Sequence, residues 1–530
     1  MRSFFPTFRT TSLFFSTLVS VTAVASASAA VLPVGPNKTY ATPCRAFAAA
    51  AAGDIVEIDA AGTYTGDVCG IYPSNLTIRG VNGRPKINAN GANAMGKGTW
   101  VIVGSNTVIE NVEMLGARVA DRNGAAIRLE GRHLTLRGSY LHDNENGILT
   151  SNDGVSDIII ENTEFGSNGY GDGYSHNLYV GRVNSLVFKG SHSHDANVGH
   201  NLKSRAKTNT IVYSRFSSST GQPSYEIDLP NAGTAYVIGN VIHQPASHRN
   251  PTLLAYGAEG ATNPGQDLYV VNNTFLNDDS SRGTFIMVGS GVITPVLMQN
   301  NIFAGTGTVM TQGIAVDRTN YRSLTPAFVN RNSFDLHPAV SSAMINAGSA
   351  AGTSSSGVSL TPVSQYRHTA GSEFRVNSGA IDIGAYEAGA ATVEAPTWSY
   401  CASENQNCNY TGTRRVRYGA NGIFSYRWAT GSIGCNNLTF GDPVRGVAKT
   451  CFYEEIAEIV VAPASPAPSL PTWVTCAGEN GVCSFSGTRQ VRYGANTSYA
   501  YRTATSSIAC KNSIFGDPIF GVAKACAYAK

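Results

Sequence analysis

Charge is scarce in this chain. Asp, Glu, Lys and Arg make up only 14% of its 530 residues, and the net charge is +3 at pH 7. So small a balance, with no basic run, argues against a nucleic-acid partner held through phosphates. Long apolar runs are missing too. Beyond the first thirty residues no stretch approaches the roughly 20 apolar residues of a membrane helix, so no span is expected. Between residues 100 and 305 the recurring segments leave no room for a helix.

What is present begins with an export signal. Arg2 and Arg9 precede a short apolar stretch, Leu13 to Val24, and Ala27-Ser28-Ala29 gives the small-x-small pattern that signal peptidase cuts. Residues 1–29 read as a signal peptide, and the protein as secreted, or periplasmic if bacterial. Ten cysteines in an exported chain read as disulfides rather than metal ligands or reactive thiols. A chain of this length is expected to hold several domains.

The central region is a ladder. A short apolar segment, then Asn or Gly, then a polar turn recurs at Val108-Ile109-Glu110-Asn111, Leu134-Thr135-Leu136-Arg137-Gly138 and Ile158-Ile159-Ile160-Glu161-Asn162. It continues through Leu186–Gly190, Ile211–Ser214, Val237–Asn240, Val270–Asn273 and Val296–Asn300. From Asn111 to Ser214 the steps are 27, 24, 28 and 24 residues. A strand-built repeat of that size implies a solenoid whose coils stack into parallel sheets. The spaced leucines of leucine-rich repeats are absent, and a propeller blade needs about 40 residues. Near the start, Cys44 to Phe47 and the alanine run Ala48 to Ala52 form the one good helix candidate, a cap over the first coil. Cys44 and Cys69 are placed to staple it.

Three passages carry a resemblance: "AFAAAAAGDIVEIDAAGTYTG", "NLTIRGVNGRPKI" and the closing "SGAIDIGAYEAG" (378–389). They resemble the pectate-lyase-like superfamily of right-handed parallel β-helix proteins over roughly residues 35–390. The resemblance implies an all-β solenoid across residues 30–390. It leaves function open, because that scaffold carries lyases, hydrolases, epimerases and non-catalytic adhesins.

Candidate chemistry follows from aligning coils. Ile127, Ile148, Leu178, Leu202 and Ile227 register as inward residues, so their neighbours are expected to point outward. One outward column then reads Ala126, Gly147, Asn177, Asn201, Glu226. The other reads Arg128, Leu149, Tyr179, Lys203, Asp228, with Arg205 further along, and His176 and His200 stack just before the strands. Such a patch suits β-elimination from an acidic, uronate-containing polysaccharide, which needs a cation on the carboxylate, a base for the adjacent C–H and an acid for the leaving oxygen. Lys203, its pKa lowered by Arg205, is the candidate base; Arg205 or a histidine binds the carboxylate; Tyr179 is the candidate acid. Glu226, Asp228, Asn177 and Asn201 offer the oxygen ligands Ca²⁺ prefers. "NLKSRAKTNTIVYSRF" (201–216) is similar to the lysine-bearing coil of the alginate and chondroitin lyase branch, which implies lysine as base, arginine as acid and calcium at the uronate. The match reaches Lys203 and Ser204 only. Where that branch has its arginine, this chain reads "SYEIDLPN" (224–231).

Each residue also has a plain structural role open to it: Lys203 and Asp228 as a cross-coil ion pair, Asn177 and Asn201 as an amide ladder, the histidines as turn residues. Glu226 and Asp228, spaced by about 6–7 Å, would alternatively suit an inverting glycoside hydrolase. A C5-epimerase shares the proton abstraction, and a non-catalytic binding or adhesin rod needs none of it.

The C-terminal region is duplicated. Trp398, Cys401, Cys408, Cys435 and Cys451 recur at an offset of 75 as Trp473, Cys476, Cys483, Cys510 and Cys526. Residues 397–456 and 472–530 therefore form two modules of about 60 residues, each too small to be secure without its disulfides, and their pairings are not readable. Pro-rich tethers and duplication suggest avidity for a polymer. Trp398, Tyr418 and Tyr426 in the first module and Trp473, Tyr493 and Tyr501 in the second are the candidate sugar-stacking residues, with core packing as the alternative for each. The protein is expected to be a monomer.

Overall fold

A computed structural model describes Met1 and residues 29–219, 222–389, 398–420, 423–444, 446–454, 473–495, 498–519 and 521–530. Residues 2–28 of the expected signal peptide and the Pro-rich tether at 461–469 lie outside the described residues. Residues up to Ala391 form one compact unit, and Thr392–Lys530 form a second.

The first unit is a parallel β-helix. Three sheets of twelve, eleven and ten strands run along it, and successive coils contribute one strand to each. Every expected ladder segment lies in the twelve-stranded sheet, where Leu134–Arg137 pairs in parallel with both Thr107–Glu110 and Asp157–Glu161. The rhythm of Asn and Gly has a backbone cause. The residue that ends each of these strands adopts a left-handed conformation: φ is +56° at Asn111, +55° at Gly138, +49° at Asn162, +57° at Gly190 and +52° at Asn272. Gly and Asn enter that region most readily. Tyr213 takes the same turn at φ +51°, and its hydroxyl accepts the Val363 backbone N–H at 3.1 Å.

Inward side chains from all three sheets fill one continuous core, including Ile127, Ile148, Leu178, Leu202 and Ile227, each fully buried. The expected cap is a helix over Pro43–Ala49, which ends two residues into the alanine run, and its Phe47 meets Trp100 edge-on at 5.2 Å. The Cys44–Cys69 disulfide ties the cap to the first coil of the ten-stranded sheet. An additional strand, Val31–Val34, precedes the helix and pairs with Ile55–Asp59.

After Ser323 the chain leaves the coils and adds two antiparallel hairpins. The closing "DIGAYE" passage is structural. Arg375 Nε donates to Glu387 Oε1 at 2.7 Å with both residues buried, while the Asp382 carboxylate accepts the backbone N–H groups of Asn346 and Ala388 at 2.6 and 2.5 Å.

In the second unit each cysteine-bearing repeat is a four-stranded antiparallel sheet. The pairings are Cys401–Cys408 and Cys435–Cys451 in the first, and Cys476–Cys483 and Cys510–Cys526 in the second. All ten cysteines are paired, which fits an oxidising, extracellular setting. Among the described residues no helix is long and apolar enough to cross a membrane.

Candidate active site on the ten-stranded sheet

The outward column expected from the coil register is present. Arg128 pairs with Leu149, Leu149 with Tyr179, Tyr179 with Lys203, and Lys203 with Asp228. Alternation about the buried apolar residues turns these side chains away from the core.

The second expected column is corrected. Asn177, Asn201 and Glu226 do not face solvent; each is fully buried. The strands here begin at Leu178, Leu202 and Ile227, so the preceding residue belongs to the bend, where strand alternation no longer applies. Their side chains form an amide relay: Asn168 Nδ2 donates to Asn177 Oδ1 at 3.0 Å, Asn177 to Asn201 at 2.8 Å, and Asn201 to Glu226 Oε2 at 2.5 Å. Burial pushes the Glu226 carboxyl up to about 8, against the Asn201 bond. This excludes a pair of sugar-facing carboxylates made of Glu226 and Asp228.

The outward column is the floor of a charged cluster. Lys203 Nζ lies 3.1 Å from Asp228 Oδ2 and 3.0 Å from Glu259 Oε1. Arg205 uses its whole fork, with NH2 to Glu259 Oε2 at 2.6 Å, Nε to the Tyr179 hydroxyl at 2.9 Å and NH1 to Asn231 Oδ1 at 2.6 Å. A ring stack closes one side: His176 on His200 at 4.8 Å, and His200 on Tyr225 at 4.9 Å. The backbone N–H groups of His200 and Tyr225 donate to His176 Nδ1 and His200 Nδ1, each at 3.0 Å. Those bonds leave the ring proton on Nε2, and His200 Nε2 lies 3.5 Å from Asp228 Oδ2. Beside Tyr179 a hollow of about 340 Å³ is lined by Arg122, Leu149, Asp172 and the exposed Tyr174.

The electrostatics differ from expectation at Lys203. Burial pulls its pKa down, but Asp228 and Glu259 outweigh this and the net shift is upward. The two carboxylates lie 3.1 and 3.0 Å from the ammonium and favour its charged form. Asp228 is pushed up to about 6 by burial despite Lys203. His200 falls to about 3 through burial and then Lys203, and His176 falls well below its ordinary value through burial and then His200, so both rings are neutral at neutral pH.

The expected Ca²⁺ ligands do not assemble into a cage. Glu226 is turned into the amide relay, Asp228 is capped by an ammonium, Asn177 Oδ1 accepts from Asn168, and Asn201 Oδ1 accepts from Asn177. A calcium site needs six to eight convergent oxygens.

Tyr418 and Tyr493 are also corrected. Both are fully buried in their modules, and their hydroxyls bond Glu404 and Glu479 at 2.6 and 2.9 Å. They complete two very small cores and offer no face to a sugar. Trp398 and Trp473 are partly exposed, each with an arginine over one ring face, Arg417 at 4.5 Å and Arg492 at 4.7 Å.

Sequence reading missed Glu259, Asn231 and Tyr225. They lie on connections between coils, whose variable lengths carry no periodic signal.

Fold and site together define a parallel β-helix protein with a cation–carboxylate cluster on the outer face of one sheet. No protein-family profile matches the chain. It is 29% identical over 143 residues to uncharacterized protein L701 of Acanthamoeba polyphaga mimivirus, spanning 25% of this chain and 70% of that protein. Among solved structures, pectate lyase Pel9A aligns over 68% of this chain and 97% of its own, at 16% identity and a TM-score of 0.47. The ORF18 protein of Geobacillus virus E2 aligns over 53% of this chain and 56% of its own, at 15% identity and a TM-score of 0.32.

Proposed function

We propose that the ten-stranded face binds an acidic polysaccharide and cleaves it by β-elimination at a uronate. One observation carries this reading. The half-exposed Glu259 carboxylate bridges Lys203 and Arg205, one oxygen to each cation, and so occupies the position a substrate carboxylate would take. Two cations on one carboxylate draw charge from the sugar ring and acidify the C–H beside it. Arg205 Nε donates to the Tyr179 oxygen, so the hydroxyl proton is free to exchange with a sugar bound over the column.

In the proposed reaction Lys203 and Arg205 hold the carboxylate in place of Glu259. Tyr179 first gives its hydroxyl proton to water, the phenolate being held by the Arg205 Nε bond; it then accepts the proton from the carbon bearing the carboxylate, and the electrons of that C–H bond form the new C=C bond. The glycosidic C–O bond breaks, and its oxygen leaves with a proton taken from the Tyr179 phenol or water. Lys203 acts as a bound cation here rather than as the base, because its net shift is upward. The hollow beside Tyr179, with Arg122 and Tyr174 on its wall, offers room for a neighbouring sugar.

The test is the ultraviolet absorbance of unsaturated uronate while purified protein meets alginate, pectate, chondroitin and bacterial exopolysaccharides, with and without Ca²⁺. The reading expects a rise on at least one polymer, abolished by Tyr179→Phe and by Lys203→Ala. No rise on any of them, with binding retained, would replace it by a non-catalytic polysaccharide-binding rod.

A further inference from the structure

The eleven-stranded sheet carries a second cluster that the proposed elimination does not use. Its strands Glu164–Gly166, His192–His194 and Arg215–Ser217 stack in parallel, with Glu164 registered on His192 and Gly166 on His194. His192 and His194 are two residues apart and so share one side of the strand. Their rings stack at 4.5 Å. One ligand-type atom from each of Glu164, His192 and His194 lies within 4.8 Å of the other two.

Each imidazole spends one nitrogen on a bond outside the three-residue group. His194 Nδ1 pairs with Asp195 Oδ2 at 2.8 Å, which turns Nε2 toward Glu164 Oε1 at 3.2 Å. His192 Nε2 bonds Ser217 Oγ at 3.1 Å, and its Nδ1 is buried with no hydrogen-bond partner among the described residues. His192 as a whole is only 6% exposed. Metal-ligating histidines characteristically tie their second nitrogen to a carboxylate or hydroxyl in this way. The three groups border a cavity of about 270 Å³, which leaves an open side. Arg215 also lines it, but its guanidinium is laid on the Phe334 ring at 3.9 Å.

An internal comparison sharpens the point. Two coils earlier Glu113, His142 and Asp143 repeat the Glu–His–Asp arrangement, with His142 bonded to Glu113 at 3.2 Å and Asp143 at 2.6 Å. There the position two before the histidine is Tyr140, stacked on His142. Only the later copy replaces this tyrosine by a histidine with an unused nitrogen. An ion-pair role accounts for the earlier triad and leaves His192 Nδ1 unexplained.

We propose that Glu164, His192 and His194 form a divalent transition-metal site, of the zinc type, with a coordination position open to the cavity. Two nitrogens and one carboxylate oxygen are the donor set of open zinc sites, and small side-chain rotations bring them to the roughly 2.0–2.2 Å that Zn²⁺ requires.

The test uses the untagged full chain, stripped with chelator and titrated with Co²⁺ and then Zn²⁺. The proposal expects one Co²⁺ per chain with visible ligand-field absorption, displaced by Zn²⁺. Glu164→Gln and His192→Gln lose that equivalent, Asp195→Asn weakens it about 10–100-fold, and Glu113→Gln leaves it unchanged. Glu164→Gln and Asp195→Asn preserve side-chain shape, and circular dichroism of each variant confirms that the coils are intact. Absence of absorption and binding heat in the parent chain would overturn the proposal. So would Glu164→Gln and His192→Gln variants that titrate like the parent.

Discussion

Lys203 and Asp228 occupy one outward column on adjacent coils, and their charged ends meet at 3.1 Å. The Asp228 side chain is almost wholly covered, so the ammonium is its main source of compensation. Lys203→Ala leaves that carboxylate buried and unpaired, at a cost of about 1–3 kcal/mol. Asp228 already titrates at about 6, above the ordinary carboxylate range, so its ionisation opposes folding as pH rises through that value. The loss is therefore expected to be larger at pH 8 than at pH 5. Urea unfolding at both pH values, with Asp228→Asn in the same background restoring part of the loss, checks this.

Glu226 predicts a second pH dependence. Its carboxyl is raised to about 8 in the fold and is ordinary when unfolded, so the folded state binds the extra proton between about 4.5 and 8. Stability of the β-helix therefore falls as pH rises across that window. Glu226→Gln keeps an oxygen for Asn201 and cannot ionise. It is expected to be more stable than the parent by about 1–3 kcal/mol at pH 8 and nearly equal at pH 5, read by thermal melts.

Glu259 competes with the proposed ligand. Removing its charge with Glu259→Gln frees the cations on Lys203 and Arg205 while leaving the coil core untouched. Oligouronate binding is expected to tighten by about 5–10-fold, whereas Arg205→Ala weakens it by about tenfold or more. Calorimetry with the oligosaccharide reads both, and an unchanged affinity in both variants would remove this surface from consideration.

The Cys44–Cys69 disulfide closes a loop of sequence separation 25 around the cap helix. Chain-entropy reasoning gives about 3 kcal/mol for a loop of this length. The Cys44→Ser, Cys69→Ser double variant is expected to fray at its N-terminal coil first. Hydrogen exchange should show early loss of protection at Ile55–Asp59 while Leu268–Val271 stays protected.

Much of this was legible from residue order. Inward residues from Ile127 to Ile227 register because strand alternation and a coil of about 25 residues are both local rules, and the same rules place Tyr179, Lys203 and Asp228 in one column. They fail one residue earlier. Asn177, Asn201 and Glu226 stand where the chain bends, and a bend has no period from which to infer direction.

Sequence by itself determined the parallel β-helix, the duplicated cysteine modules and the column of Tyr179, Lys203 and Asp228. These follow from periodicity and repetition, which residue order contains. Tertiary structure alone decided the disulfide pairings, the burial of Glu226 and Tyr418, the bridge from Glu259 to Lys203 and Arg205, and the convergence of Glu164 with His192 and His194. Each of these depends on how far a coil connection reaches or how two coils stack, and distances between coils are set by packing rather than by spacing along the chain.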